Sequence, residues 1–145
     1  MPFREAVDAD IPRMVAMGRR LFERSGWPSW VSCDDASMEE TLRGMMGADA
    51  AAVLVGEHGF AGVMVTPAYF NHTILTGQKV WWWLEPGCLA WRRDLWDAME
   101  GWARSKGAAA FFTGASEGMN PRAVGRLYER AGYQSAERTY LKRLK

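Results

Sequence analysis

The residue types able to do chemistry here are few, and their spacing limits what they could do. The two histidines, His58 and His72, fall in a hairpin turn signal and an irregular connection, which leaves little material for a catalytic triad or a zinc site. Cys33 and Cys88 have neither paired metal-ligand spacing nor a disulfide framework, so no metal is expected and a reducing, cytoplasmic setting is. Cys88, beside Gly87 and just ahead of a helix, has the position of an activated thiol. With no histidine close in sequence, a small buried thiol serves equally. Trp27, Trp30, Asp34 and Asp35 crowd one loop, and rings with carboxylates suit a cationic or amine-bearing ligand. Tryptophans that only anchor the loop would look the same. Arg92 and Arg93 stand at a helix start as phosphate-binding guanidiniums or as solvated charges, and Asn120 stands where a helix cap would.

The elements that must position these groups follow from periodicity and breakers. Residues 3–7 read as an edge strand, and Asp8 or Asp10 as the cap of a helix over 11–24, whose apolar positions Ile11, Met14, Val15, Met17, Gly18, Leu21 and Phe22 recur at three- and four-residue spacing. Gly26 ends it, a loop follows to Ser37, and a short helix runs to about Gly47. Residues 51–57 and 60–66 are strands joined by His58-Gly59. Residues 67–78 look irregular and 79–84 resume as a strand. A helix after Pro86 carries Leu89, Leu95, Trp96, Met99, Trp102 and Ala103, and Gly107 stops it. A strand over 108–113, a helix opened by Asn120-Pro121 and closed by Gly132, and a last strand over 139–144 complete one domain, 1–145.

The bulk numbers agree with a single globular domain: 145 residues, 48% hydrophobic and 24% charged. Lys plus Arg number 18 against 17 Asp plus Glu, which gives no global field for nucleic acid or an anionic membrane. No apolar run approaches the ~20 residues of a membrane span, and no export signal opens the chain. Eight tryptophans, three consecutive at 81–83, leave dimerisation open, because exposed aromatic clusters often mark protein contacts.

Two segments carry a family resemblance. Trp102-Ala103-Arg104-Ser105-Lys106-Gly107-Ala108 and Leu127-Tyr128-Glu129-Arg130-Ala131-Gly132-Tyr133 resemble the central-helix end and the late helix of the GCN5-related N-acetyltransferase (GNAT) superfamily, with Tyr140-Leu141-Lys142-Arg143-Leu144 following in the expected place. Phe70-Asn71 and Val80-Trp81-Trp82-Trp83-Leu84-Glu85-Pro86 resemble small members borne by bacteriophages and prophages. The resemblance implies an α/β (α+β) fold: a mixed, mostly antiparallel sheet of six to seven strands flanked by about four helices, with a splay between the fourth and fifth strands. It implies acetyl-CoA as co-substrate and an amine acceptor, small molecule or protein.

By the same resemblance Trp83 and Leu84 would border the coenzyme's pantetheine arm near the point where the strands part. Gly87, Arg92, Arg93 and Asn120 would contact the coenzyme, and Trp27, Trp30 and Asp34 would wall the acceptor site. Glu85 is the expected general base and Tyr128 the acid for the departing thiolate. One departure is plain. Active members usually have a glycine-rich pyrophosphate loop, Arg/Gln-x-x-Gly-x-Gly/Ala, and residues 85–94 here are shorter with one glycine. That departure keeps open a catalytically inactive or repurposed binding protein of phage origin, and the resemblance to phage members leaves, as a second alternative, a phage enzyme that modifies DNA bases. The neutral charge argues against the second.

Overall fold

The structure, a computed structural model, describes residues 2–145. Strand β1 (Phe3–Glu5) precedes helices α1 (Ile11–Arg24) and α2 (Asp35–Met46). Then come β2 (Ala51–Gly56), β3 (Gly59–Ala68), β4 (Asn71–Leu84), α3 (Arg92–Ser105), β5 (Ala108–Phe112) and α4 (Pro121–Arg130). The sheet has five strands in the order β1-β2-β3-β4-β5, with the first three pairings antiparallel and β4·β5 parallel. Because successive side chains alternate across a strand, β2 feeds both faces. Val53 and Val55 pack with Ile11, Met14, Met17 and Leu42 of α1 and α2, while Ala52 and Leu54 pack with Leu95, Trp96 and Met99 of α3. No helix among the described residues is long and apolar enough to cross a membrane.

Several expectations need correction. Residues 139–144 form no strand, so the sheet falls short of six. Tyr140 and Leu144 share one potential face with Lys142, and Leu141 shares the other with Arg143, so neither face is apolar enough to dock. Residues 67–78 are not irregular: β3 and β4 form one long hairpin turned at Tyr69-Phe70. Pro67, which has no N–H to give a ladder, sits at a register shift. Asp10 does not cap α1. Its Oδ2 accepts from the backbone N–H of Val7 (2.8 Å) just upstream, and the Arg4 guanidinium binds both oxygens at 2.8 and 3.0 Å. Leu89 lies in a single turn ahead of α3 and is half exposed.

Candidate active site

β5 is only five residues long, and this sets the shape of the site. Its ladder with β4 ends at Gln78↔Phe112, whereas β4 continues through residues 79–84 paired only with β3. The two strands therefore part six residues earlier than the expected point near Leu84. One extra residue marks the apex: Gly62 pairs with Trp81 and Val63 with Lys79, so Val80 bulges from the ladder. Gly62 is needed there, since a Cβ would lie 2.5 Å from Cζ3 of the Trp81 ring.

The parting opens into a cleft of about 770 Å³, within the usual range of small-molecule sites. One wall comes from Met14, Leu21 and Phe22 of α1 and Met38 of α2, and the other from Gly114, Ser116, Asn120 and Val124. β4 forms the floor, with Trp81 and Trp83 turned toward α1 and α2 and Trp82 toward α3 and α4. Trp81 Nε1 is buried without a partner.

Most of the residues singled out from sequence border this cleft. Trp27, Asp34, Trp83, Leu84, Glu85, Gly87 and Asn120 do; Trp30 does not, but its ring packs on Trp27 at 5.1 Å between centroids. Asp34 Oδ2 caps α2 by accepting from the Ser37 N–H (2.9 Å) and hydroxyl, which hold its pKa below the ordinary value. Asn120 caps α4 by accepting from Ala123 N–H at 3.3 Å, from a left-handed backbone (φ 51°). Arg92 and Arg93 lie outside the lining, with the Arg92 guanidinium donating back to the Leu89 carbonyl at 3.2 Å. Trp91 also stays outside and stacks on His58 with ring centroids 4.9 Å apart.

The two expected catalytic groups are placed differently from the expectation. Glu85 stands at the open end of the cleft, roughly 20 Å of strand beyond Gln78 at about 3.3 Å per residue. The Arg20 guanidinium of α1 holds both its oxygens and lowers its pKa, which makes it a weak base. Tyr128 is near the apex but behind the wall. Its hydroxyl donates to Gly114 O (2.8 Å), accepts from Trp82 Nε1 (2.7 Å) and contacts Thr113 Oγ1 (2.9 Å). Burial raises its pKa against the pull of the Thr113 and Trp82 hydrogen bonds, so the proton is firmly held.

No protein-family model and no curated protein sequence matches the chain, but solved structures do. An aminoglycoside 6'-N-acetyltransferase from Acinetobacter haemolyticus superposes with a TM-score of 0.71 at 17% identity, covering 100% of this chain and 99% of that one. AAC(6')-Iy, solved with the bisubstrate analogue CoA-S-monomethyl-acetylneamine, gives 0.73 at 15% identity over 99% and 97%. A ribosomal-protein-alanine N-acetyltransferase from Brucella melitensis gives 0.71 at 15% identity over 99% and 100%. The fold is the GNAT fold.

Within that fold the sequence reading missed three things. It overlooked Lys79, whose side chain follows directly on the last β4·β5 pair, lines the cleft and donates to Gly114 O at 3.5 Å. A lone lysine opening an aromatic strand was the available signal. It also missed Arg20, 65 residues from its partner Glu85. Finally, Cys88 has a histidine neighbour after all: hairpin closure brings His58 Nδ1 to 3.6 Å from Cys88 Sγ.

Proposed function

We propose that this protein is an acetyl-CoA-dependent N-acetyltransferase acting on an amine acceptor, of a kind carried by phages or prophages and working in the cytoplasm. The observation that carries the reading is the parting of β4 from β5 at Gln78↔Phe112, with a bulge at the apex and a cleft continuous with the α1–α2 connection. The backbone of residues 79–84, unpaired on its β5 side, has the length and open edge to bind an extended pantetheine arm by added-strand pairing. Bound there, acetyl-CoA supplies the activated acyl group.

At the open end, the turn after β4 leaves room for phosphates. Gly87 has φ 83° and nothing within 4 Å of an added Cβ, and the start of α3 with Arg92 and Arg93 follows. Near the apex, Tyr128 stands behind the wall beside Thr113 and Gly114, and its phenol proton serves a departing thiolate only by leaving the Gly114 carbonyl it is donated to. Trp27 and Asp34, backed by Trp30, form a face suited to a cationic acceptor. Glu85 fits that entrance better than a base role, given its distance from the apex. The cytoplasmic setting rests on the two free thiols, and the phage source on the resemblance around residues 80–86.

A second reading, a GNAT-fold binding protein without transferase activity, is favoured by the single-glycine turn and by Arg92 and Arg93 standing outside the cleft lining. Isothermal titration with acetyl-CoA and CoA separates the two. Saturable binding in the micromolar range is expected, and no heat at millimolar coenzyme would select the binding protein.

A further inference from the structure

We propose that Lys79 is a self-acylation site, its amine taking the acyl group from acetyl-CoA when no external acceptor is present. This rests on the acetyl-CoA reading above. The chain has four lysines, Lys79, Lys106, Lys142 and Lys145. Lys142 and Lys145 lie in the exposed tail, and Lys106 caps the end of α3 with its ammonium over the Trp102 ring. Lys79 alone among them lines the cleft.

Its place in the cleft is specific. An arm lying between the diverging strands, with its phosphates at the open end, has its reactive tip at the apex. Lys79 is the first residue past the last β4·β5 pair. It pairs with Val63, whose side chain faces the α3 side, so the lysine points to the same side as Trp82 and reaches Gly114 O.

Its partners leave the amine available. Among the described residues no carboxylate lies within 4.0 Å of Nζ. Of the two acidic residues that line the cleft, Glu85 is held by Arg20 and Asp34 is occupied by Ser37. A backbone carbonyl can orient an amine but cannot hold it as an ammonium the way a carboxylate does. Burial also pushes the Lys79 pKa below its ordinary value, which enlarges the neutral fraction carrying the lone pair.

The step balances without any further reagent. The Nζ lone pair attacks the thioester carbonyl carbon, the C–N bond forms as the C–S bond breaks, and the nitrogen's lost proton ends on the CoA thiolate. One free thiol is released per chain. The product is a neutral amide at the apex, which removes a charge and fills space, so the reaction stops after one turnover.

The test uses the full chain incubated with acetyl-CoA alone, read by intact mass, peptide mapping and thiol release. The expected result is one acetyl group per chain at Lys79, added at least about tenfold faster than at Lys106, Lys142 or Lys145, as apposed reactants allow. Lys79→Arg and Lys79→Gln, each checked for folding by circular dichroism, should lose the thiol burst. Mapping of the unsubstituted protein decides the matter even if both variants unfold. Coenzyme binding in the titration with no preference for Lys79 overturns this inference and leaves the transferase reading standing. Absence of coenzyme binding overturns both.

Discussion

Replacing Tyr128 by Phe should destabilise the protein by about 1–3 kcal/mol, a value worked from the three partners of one hydroxyl. Trp82 Nε1 donates to it at 2.7 Å, and Trp82 is half-buried with its ring edge-on to Trp96, so the indole N–H would lose its acceptor where little solvent can replace it. A buried donor left alone costs about 1–3 kcal/mol. Gly114 O would lose the donor at 2.8 Å, but it lies on the cleft wall where water reaches it and Lys79 already donates, so under about 1 kcal/mol is assigned to it. Thr113 can rotate its hydroxyl elsewhere and adds little. The ring contacts of residue 128 with Trp96 and Tyr133, at 4.6 and 5.4 Å, survive the change. At about 3 °C per kcal/mol for a domain of this size, the melting temperature should fall by roughly 3–9 °C in a calorimetric or circular-dichroism melt. A fall below about 2 °C would refute the claim that this hydroxyl ties β4 to the segment after β5.

Two further outcomes test the electrostatics. The Arg4 guanidinium beside Asp10 holds its carboxyl down at about 2, below its unfolded value, so the stability gained is complete above about pH 4 and is lost as pH falls toward 2. Asp10→Asn should cost about 1–2 kcal/mol at neutral pH, discounted because Arg4 is half exposed, and should flatten the acid limb of a Tm-against-pH series; an unchanged limb would assign acid denaturation to other groups. Glu85→Gln should raise KM for a cationic acceptor while lowering kcat by less than about tenfold, because the carboxylate is remote from the apex. A far larger loss in kcat with KM unchanged would restore it as the base.

What the sequence revealed was local. α1 occupies the expected 11–24 because seven apolar residues repeat there at helical spacing, and Leu95, Trp96, Met99, Trp102 and Ala103 are buried on α3 for the same reason. Asp10 and the last strand were misread because local rules allow more than one partner. The Asp10 carboxylate turned back to Val7 and Arg4 instead of forward to the helix, and residues 139–144 lack an apolar face despite their β-prone composition. The Arg20–Glu85 and Cys88–His58 pairs link distant segments, and no periodicity could signal them.

The site itself turns on one residue of register. Side chains alternate along a strand, so without the bulge at Val80 Trp81 would point with Lys79 toward α3, and Trp82 would point toward α1 and α2. The extra residue reverses this. Trp82 meets Trp96 and the Tyr128 hydroxyl on the α3 side, and Trp81 and Trp83 turn together toward Phe60 and α1. Three consecutive tryptophans cannot disclose this from sequence, since each fits either face equally. The bulge decides it, and the same irregularity marks the end of the β4·β5 ladder where Lys79 stands. The aromatic packing that stabilises the floor and the opening that could admit an acyl donor therefore meet at one point of β4, the first set by the bulge and the second by the end of the short β5.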